Sequence, residues 1–169
     1  MITVDIKQIV DQKKHDLLTR PDADAWNACA AVWARLFILA GPGWRKWPQY
    51  LGPVREALSL ALLRCVESDN VPSPGPLVQT LTDFDIEFDG SVEWRYVLDT
   101  LVVLTPVLEG KDVAACLQEA LRSYLQGAKN ILTNKYAAAA GHSISLPSAR
   151  EQLAADPEWD RAVGFVMGL

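Results

Sequence analysis

A chain of 169 residues with a formal net charge of −5 has the length of one domain and lacks the overall basic balance of a typical nucleic-acid binder. Half of its residues are hydrophobic and 22% are charged, which excludes an intrinsically disordered chain and supplies apolar surface for a core without metal or disulfide staples. Cys29, Cys65 and Cys116 are odd in number and widely spaced with no C-x-x-C pair, so neither a zinc site nor a disulfide framework is expected, and no cofactor motif is present.

The opening residues MITVDIKQIVDQKK carry acids and lack an apolar run before a small-residue cleavage site, so they do not read as a secretory signal. Ile6, Ile9, Val10 and Leu17 recur at near-helical spacing and predict a short amphipathic helix over about 4–19, ended by Arg20–Pro21. Asp22 or Asp24 is expected to cap a second helix carrying Trp26, Cys29, Ala30, Trp33, Phe37 and Ala40, which Gly41-Pro42-Gly43 stops. This apolar stretch is interrupted by Arg35 and falls short of the roughly 20 residues of a membrane span, so the expected location is cytoplasmic. The segment GPGWRKWPQYLGP reads as a loop. Pro53 suits the first turn of a third helix whose buried stripe is Val54, Leu58, Ala61, Leu62 and Cys65. Asp69 to Pro76 holds three prolines and a glycine and reads as a connection, followed by a helical turn over Leu77 to Leu81.

The period then changes. Phe84, Ile86 and Phe88 alternate with Asp83, Asp85, Glu87 and Asp89, which predicts a short extended segment with one apolar face, ended by Gly90. Trp94, Val97, Leu98, Leu101 and Leu104 mark a fourth helix that Pro106 should end or kink. The longest stripe runs from Val113 through Cys116, Leu117, Ala120, Leu121, Tyr124, Ala128, Ile131 and Leu132, a fifth helix that the following alanines can extend to Gly141. Ser148 and Glu151 form an S-x-x-E capping box, and Asp156–Pro157 opens a last helix with Trp159, Val163 and either Val166 or Met167 inward. No repeat period and no linker appears. The expected fold is all-α: one domain over residues 1–169, a bundle of six or seven helices with one short extended segment near residues 83–89.

Two features stand out as candidates for function. In the acidic strip, successive outward carboxylates would lie about 6.6 Å apart along a strand, a row able to meet lysines and arginines of a basic protein. Its plainest reading is a solvated edge. A calcium loop fits poorly, because the position of the bidentate glutamate is Tyr96 and no second hand exists. The loop Trp44-Arg45-Lys46-Trp47-Pro48-Gln49-Tyr50 concentrates aromatics and cations, the residue types of interface hot spots, although the same rings can also anchor a loop onto a core.

Elsewhere the signals are weak. His15 reads as solvated, and His142 as a cap on the end of the fifth helix. Arg95 and Asp99 stand four apart and are expected to pair on the polar face of their helix. The nucleotide-loop, dinucleotide, zinc-protease and serine-elbow motifs are missing, so no catalytic or metal-binding residue is assigned.

The expected function is a small acidic protein-binding protein without enzymatic activity. Its concrete form is an immunity or antitoxin-like inhibitor that occludes a basic toxin such as a nuclease. The expected partner-binding residues are Asp83, Asp85, Glu87, Asp89, Trp44, Arg45, Trp47 and Tyr50. Nucleic acid and membrane are disfavoured as partners. Two alternatives stand beside it: an enzyme or ligand-binding bundle with a pocket lined by Trp26, Trp33 and Trp94, and a self-associating structural subunit.

Overall fold

Cap and proline positions set where most of the helices begin. The computed structural model describes residues 5–66, 75–82 and 91–169. Asp5 accepts the Gln8 N–H at 3.2 Å and opens α1 (Ile6–Leu18). Asp22 and Asp24 do not cap α2 (Asp22–Leu39). They lie inside its first turn, after Pro21, where their charge complements the positive end of the helix dipole. The Gly-Pro segment expected as a loop instead folds into α3 (Gly41–Lys46) and a 3-10 turn (Pro48–Tyr50), which leads into α4 (Leu51–Val66). Pro42 and Pro48 sit in first turns, where a missing N–H costs no helical hydrogen bond.

The short α5 (Gly75–Thr82) precedes α6 (Val92–Leu108), which Ser91 caps by accepting the Trp94 N–H at 3.2 Å. Pro106 does not end α6. The helix runs two residues further, and burial of Val107 and Leu108 in the core holds that last turn. Asp112 caps the 28-residue α7 (Val113–Ala140) by accepting the Ala115 N–H at 2.8 Å. Gly141 ends α7 in the left-handed conformation, φ 72°. Ser145, not Ser148, caps α8 (Leu146–Ala155), so this helix begins earlier than the capping box predicts. Asp156 caps α9 (Pro157–Met167) as expected.

The described residues form an all-α bundle, and no strand occurs among them. The extended segment predicted near residues 83–89 lies outside the described residues. α7 is the spine, packing against α1, α2, α6, α8 and α9. Trp33, Trp94 and Trp159 are fully buried in one continuous core with Leu36, Leu104, Leu117, Leu121 and Leu125. No helix among the described residues is long and apolar enough to cross a membrane.

Two cations tie the bundle together. Lys13 is buried and donates to the Met167 carbonyl at 3.0 Å, joining α1 to the end of α9. Arg64 of α4 donates to the carbonyls of Val107 (2.9 Å), Gly110 (3.2 Å) and Lys111 (2.9 Å), and its guanidinium lies 5.4 Å from the Trp26 ring centroid. It binds one carbonyl in the last turn of α6 and two in the connection, and so fixes the turn into α7. Replacing Arg64 by Met keeps the stem and removes every one of these bonds. It should cost about 2 kcal/mol, the scale of hydrogen bonds to a charged group, read as a lower urea midpoint at unchanged slope.

Candidate functional site

The aromatic segment packs on the first turns of α6. The rings of Trp47 and Trp94 lie 4.6 Å apart, and those of Tyr50 and Trp94 lie 5.6 Å apart. Gly43 permits this approach: a Cβ there would stand 2.7 Å from the Val97 side chain and 3.1 Å from the Glu93 carbonyl oxygen. Trp44 is only 6% exposed, its Nε1–H donates to the Phe37 carbonyl at 3.0 Å, and its ring rests on Phe37. Trp44 and Tyr50, expected at a partner surface, are therefore core residues. The physical reason is that α3 and the 3-10 turn point both rings inward, where an indole gains most from burial and still satisfies its N–H. Trp47 is half-buried, with Lys46 Nζ 4.6 Å from its ring centroid, and Arg45 is exposed.

The acidic strip Asp83, Asp85, Glu87 and Asp89 lies outside the described residues and joins α6 at Ser91. All sixteen lysines and arginines fall within the described residues, whereas six of the 21 acids belong to residues 67–74 and 83–90. The described bundle thus carries sixteen cationic against fifteen anionic side chains, and the net negative charge of the chain comes from those two segments.

A second polar cluster lies at the crossing of α6 and α7. Asp99 is 4% exposed, not on the solvated face expected for it, although its pairing with Arg95 is present, Nε to Oδ1 at 3.3 Å. Its Oδ2 has no hydrogen-bond donor among the described residues and lies against Gly127, where any Cβ would overlap the carboxylate. Burial pushes the Asp99 carboxyl up to about 6, with the Arg95 guanidinium pulling the other way. Nearby, Glu119 accepts from Arg122 at 3.0 Å and from Ser123 at 3.0 Å. These residues border an open groove of about 360 Å³.

Two further grooves lie among the described residues. One of about 420 Å³ lies between α7 and α8, and one of about 200 Å³ draws on α2, α6, α7 and α9. Trp26, Trp33 and Trp94 line none of the three. Trp33 and Trp94 are packed in the core, and Trp26 lies under Arg64.

Cys29 and Cys116 are buried and Cys65 is half-buried. Burial raises all three thiols, Cys116 to about 11, so they stay protonated at neutral pH. His142 does not cap α7; its Nδ1 lies 2.8 Å from the Ser143 carbonyl, and Gly141 makes the cap. Among the described residues no group of three His, Cys, Asp or Glu could hold a metal ion. Comparison of the chain with protein-family models, curated proteins and solved structures finds no match in any of the three.

Asp99 imposes a pH dependence of unusual sign for a carboxylate. The folded state holds its proton more tightly than the unfolded chain, where the group titrates near 3.8. Its contribution to stability is full below that value and is lost as pH rises through 6, up to about 3 kcal/mol. Asp156 works in the opposite direction, since the Tyr136 hydroxyl donating to it at 2.7 Å lowers its pKa and its contribution fades in acid. The difference in unfolding free energy between Asp99→Asn and wild type should therefore shift in favour of the variant between pH 4 and pH 7. Chemical denaturation across that range measures it, and parallel curves would show that Asp99 is not perturbed.

Proposed function

We propose that this chain is a small protein-binding protein that engages a basic partner at the end of the bundle where α3, the 3-10 turn and the start of α6 meet. One observation carries the reading. The aromatic segment rests directly on the first turn of α6, Trp47 against Trp94 at 4.6 Å, and α6 is the helix into which the acidic strip runs. The aromatic segment thus packs on the helix that follows the acidic strip in the chain, which supports reading the two as parts of one surface.

Electrostatics divides the labour. Because the described bundle is close to neutral, the acidic segments supply the field that steers a cationic partner. Such steering raises association rates and weakens with salt over a Debye length of about 8 Å at physiological ionic strength. Trp47 supplies the aromatic contact, the exposed Arg45 beside it can pair only with an acidic group of the partner, and Trp44 and Tyr50 support the surface from beneath. In the most specific form of the proposal, the partner is a toxin with a basic active site, a nuclease for example, and binding occludes it.

The test is affinity capture with tagged wild type at 50 mM and 300 mM salt, in parallel with the variant Asp83→Asn, Asp85→Asn, Glu87→Gln, Asp89→Asn. A stoichiometric basic protein held by wild type at low salt, and bound at least tenfold more weakly by the variant in a purified mixture, is the expected result. Equal binding by both proteins with the same salt dependence would sink the acidic-strip reading. Trp47→Ala should slow nothing in the encounter but should speed dissociation, since a buried contact acts mainly on the off-rate.

A further inference from the structure

Residues of four helices line the groove of about 200 Å³, among them Arg35 from α2, Tyr96 from α6, Tyr124 from α7, and Glu158 with Arg161 from α9. Their positions are held by the fold. The Arg35 guanidinium carbon lies 5.7 Å from the Phe165 ring centroid, and Phe165 in turn packs 5.1 Å from Tyr124. Arg35 and Arg161 form no ion pair with any described residue, and neither tyrosine hydroxyl hydrogen-bonds to one. Burial raises the pKa of Tyr96, with Tyr124, Asp99 and Glu158 adding to the effect and Arg35 opposing it, so its hydroxyl is a proton donor at neutral pH. Glu158 is engaged by Lys135 at 3.5 Å. Leu39, Leu132 and Ala162 form the apolar part of the lining.

From two arginines and two tyrosines that share one groove lining with apolar residues, we infer that the groove binds a small organic oxyanion, a carboxylate or a phosphate monoester on a compact apolar body. The donor set dictates the class. Guanidinium groups present paired N–H donors that match the oxygens of carboxylate and phosphate, and the tyrosine hydroxyls add donors within the wall. The volume lies below the roughly 300–1,000 Å³ of sites for drug-sized ligands, so the body must be small. Glu158 leaves the charged lining at two cations against one anion, which favours a ligand of low charge over a polyanion. This inference stands apart from the partner-binding surface on α3, and either can fail without the other.

The probes are benzoate, phenyl phosphate and inorganic phosphate, with phenol as the neutral control, each titrated at constant ionic strength and followed by melting temperature and by the ring resonances of Tyr96 and Tyr124. We expect at least one organic anion to raise the melting temperature in a saturable manner and to shift both tyrosines, and phenol to do neither. A response to benzoate assigns a carboxylate ligand, and a response to phenyl phosphate alone assigns a phosphate ester. Arg161→Gln alters an exposed side chain, so it should melt like wild type without ligand and bind the responding anion at least tenfold more weakly. Arg35→Lys should retain part of the affinity that Arg35→Gln loses, because it keeps the charge and gives up the paired donors. Absence of any response, an equal response to phenol, or wild-type affinity in both Arg161→Gln and Arg35→Gln would overturn the inference.

Discussion

At the crossing of α6 and α7, Gly127 leaves no side chain between the two helices, and the carboxylate of Asp99 occupies the space a Cβ would need. This contact sets the register in which the two helices meet. One turn earlier on each helix stand Tyr96 and Tyr124, which face the groove shared with α2 and α9. At the start of α6, Trp94 receives Trp47 and Tyr50. The placement of both candidate sites follows from one close approach between helices. Arg64 reinforces it from the other end by closing the turn from α6 into α7. Asp99 destabilises the fold when ionised, because its burial is only partly offset by Arg95. A small apolar residue would fit the same gap without that cost, and nothing in the packing requires a carboxylate there.

Charge is distributed along the chain in a way that the total conceals. A net charge of −5 reads as a mildly acidic protein, yet the helices described here are balanced and the excess acid sits in residues 67–74 and 83–90. Balanced surfaces contribute little long-range field, so any steering must come from those two segments. The described ion pairs are mostly short-range and exposed, such as Arg20 with Asp16 and Lys111 with Glu109, and such pairs add about 0–1 kcal/mol each. Stability comes instead from the apolar seam of α2, α6 and α7, where Trp33, Trp94, Leu36, Leu104, Leu117, Leu121 and Leu125 are fully buried.

The helices were legible in the sequence because a period of 3.6 reports directly on which face is buried. The stripes of α2, α6 and α7 match the core residue for residue at Cys29, Trp33, Trp94, Val97, Leu104, Leu117 and Leu121. The sequence is ambiguous where local chemistry has two solutions. Glycine and proline punctuate a loop, but proline also suits a first helical turn, and α3 takes that option. Trp44 and Tyr50 fit a hot spot and an anchor equally well by residue type; only the placement of α3 on α6 decides for burial. Asp99 paired with Arg95 as spacing predicts, but spacing along one helix says nothing about whether a second helix covers the pair. The four-helix groove had no sequence signal at all. Its members lie at positions 35, 96, 124, 158 and 161, with no common motif, and they converge only through the crossing of α6 and α7.

α6 serves both candidate sites through nearly opposite faces of its first turns. Trp94 and Tyr96 are two residues apart, which is about 200° around a helix of 3.6 residues per turn. A substitution that shifts or unwinds α6 itself would disturb the partner end and the groove together, and its effects could not be apportioned. The separable handles lie on other elements. Arg45 and Trp47 belong to the segment that covers one face, while Arg35 and Arg161 come from α2 and α9 and reach the other. Pairs of residues that are far apart and share no partner act additively to within about 0.5 kcal/mol. Measured departure from additivity between Arg45 and Arg161 would mean that the two faces communicate through α6, and strict additivity would mean that this helix is a rigid partition between two independent surfaces.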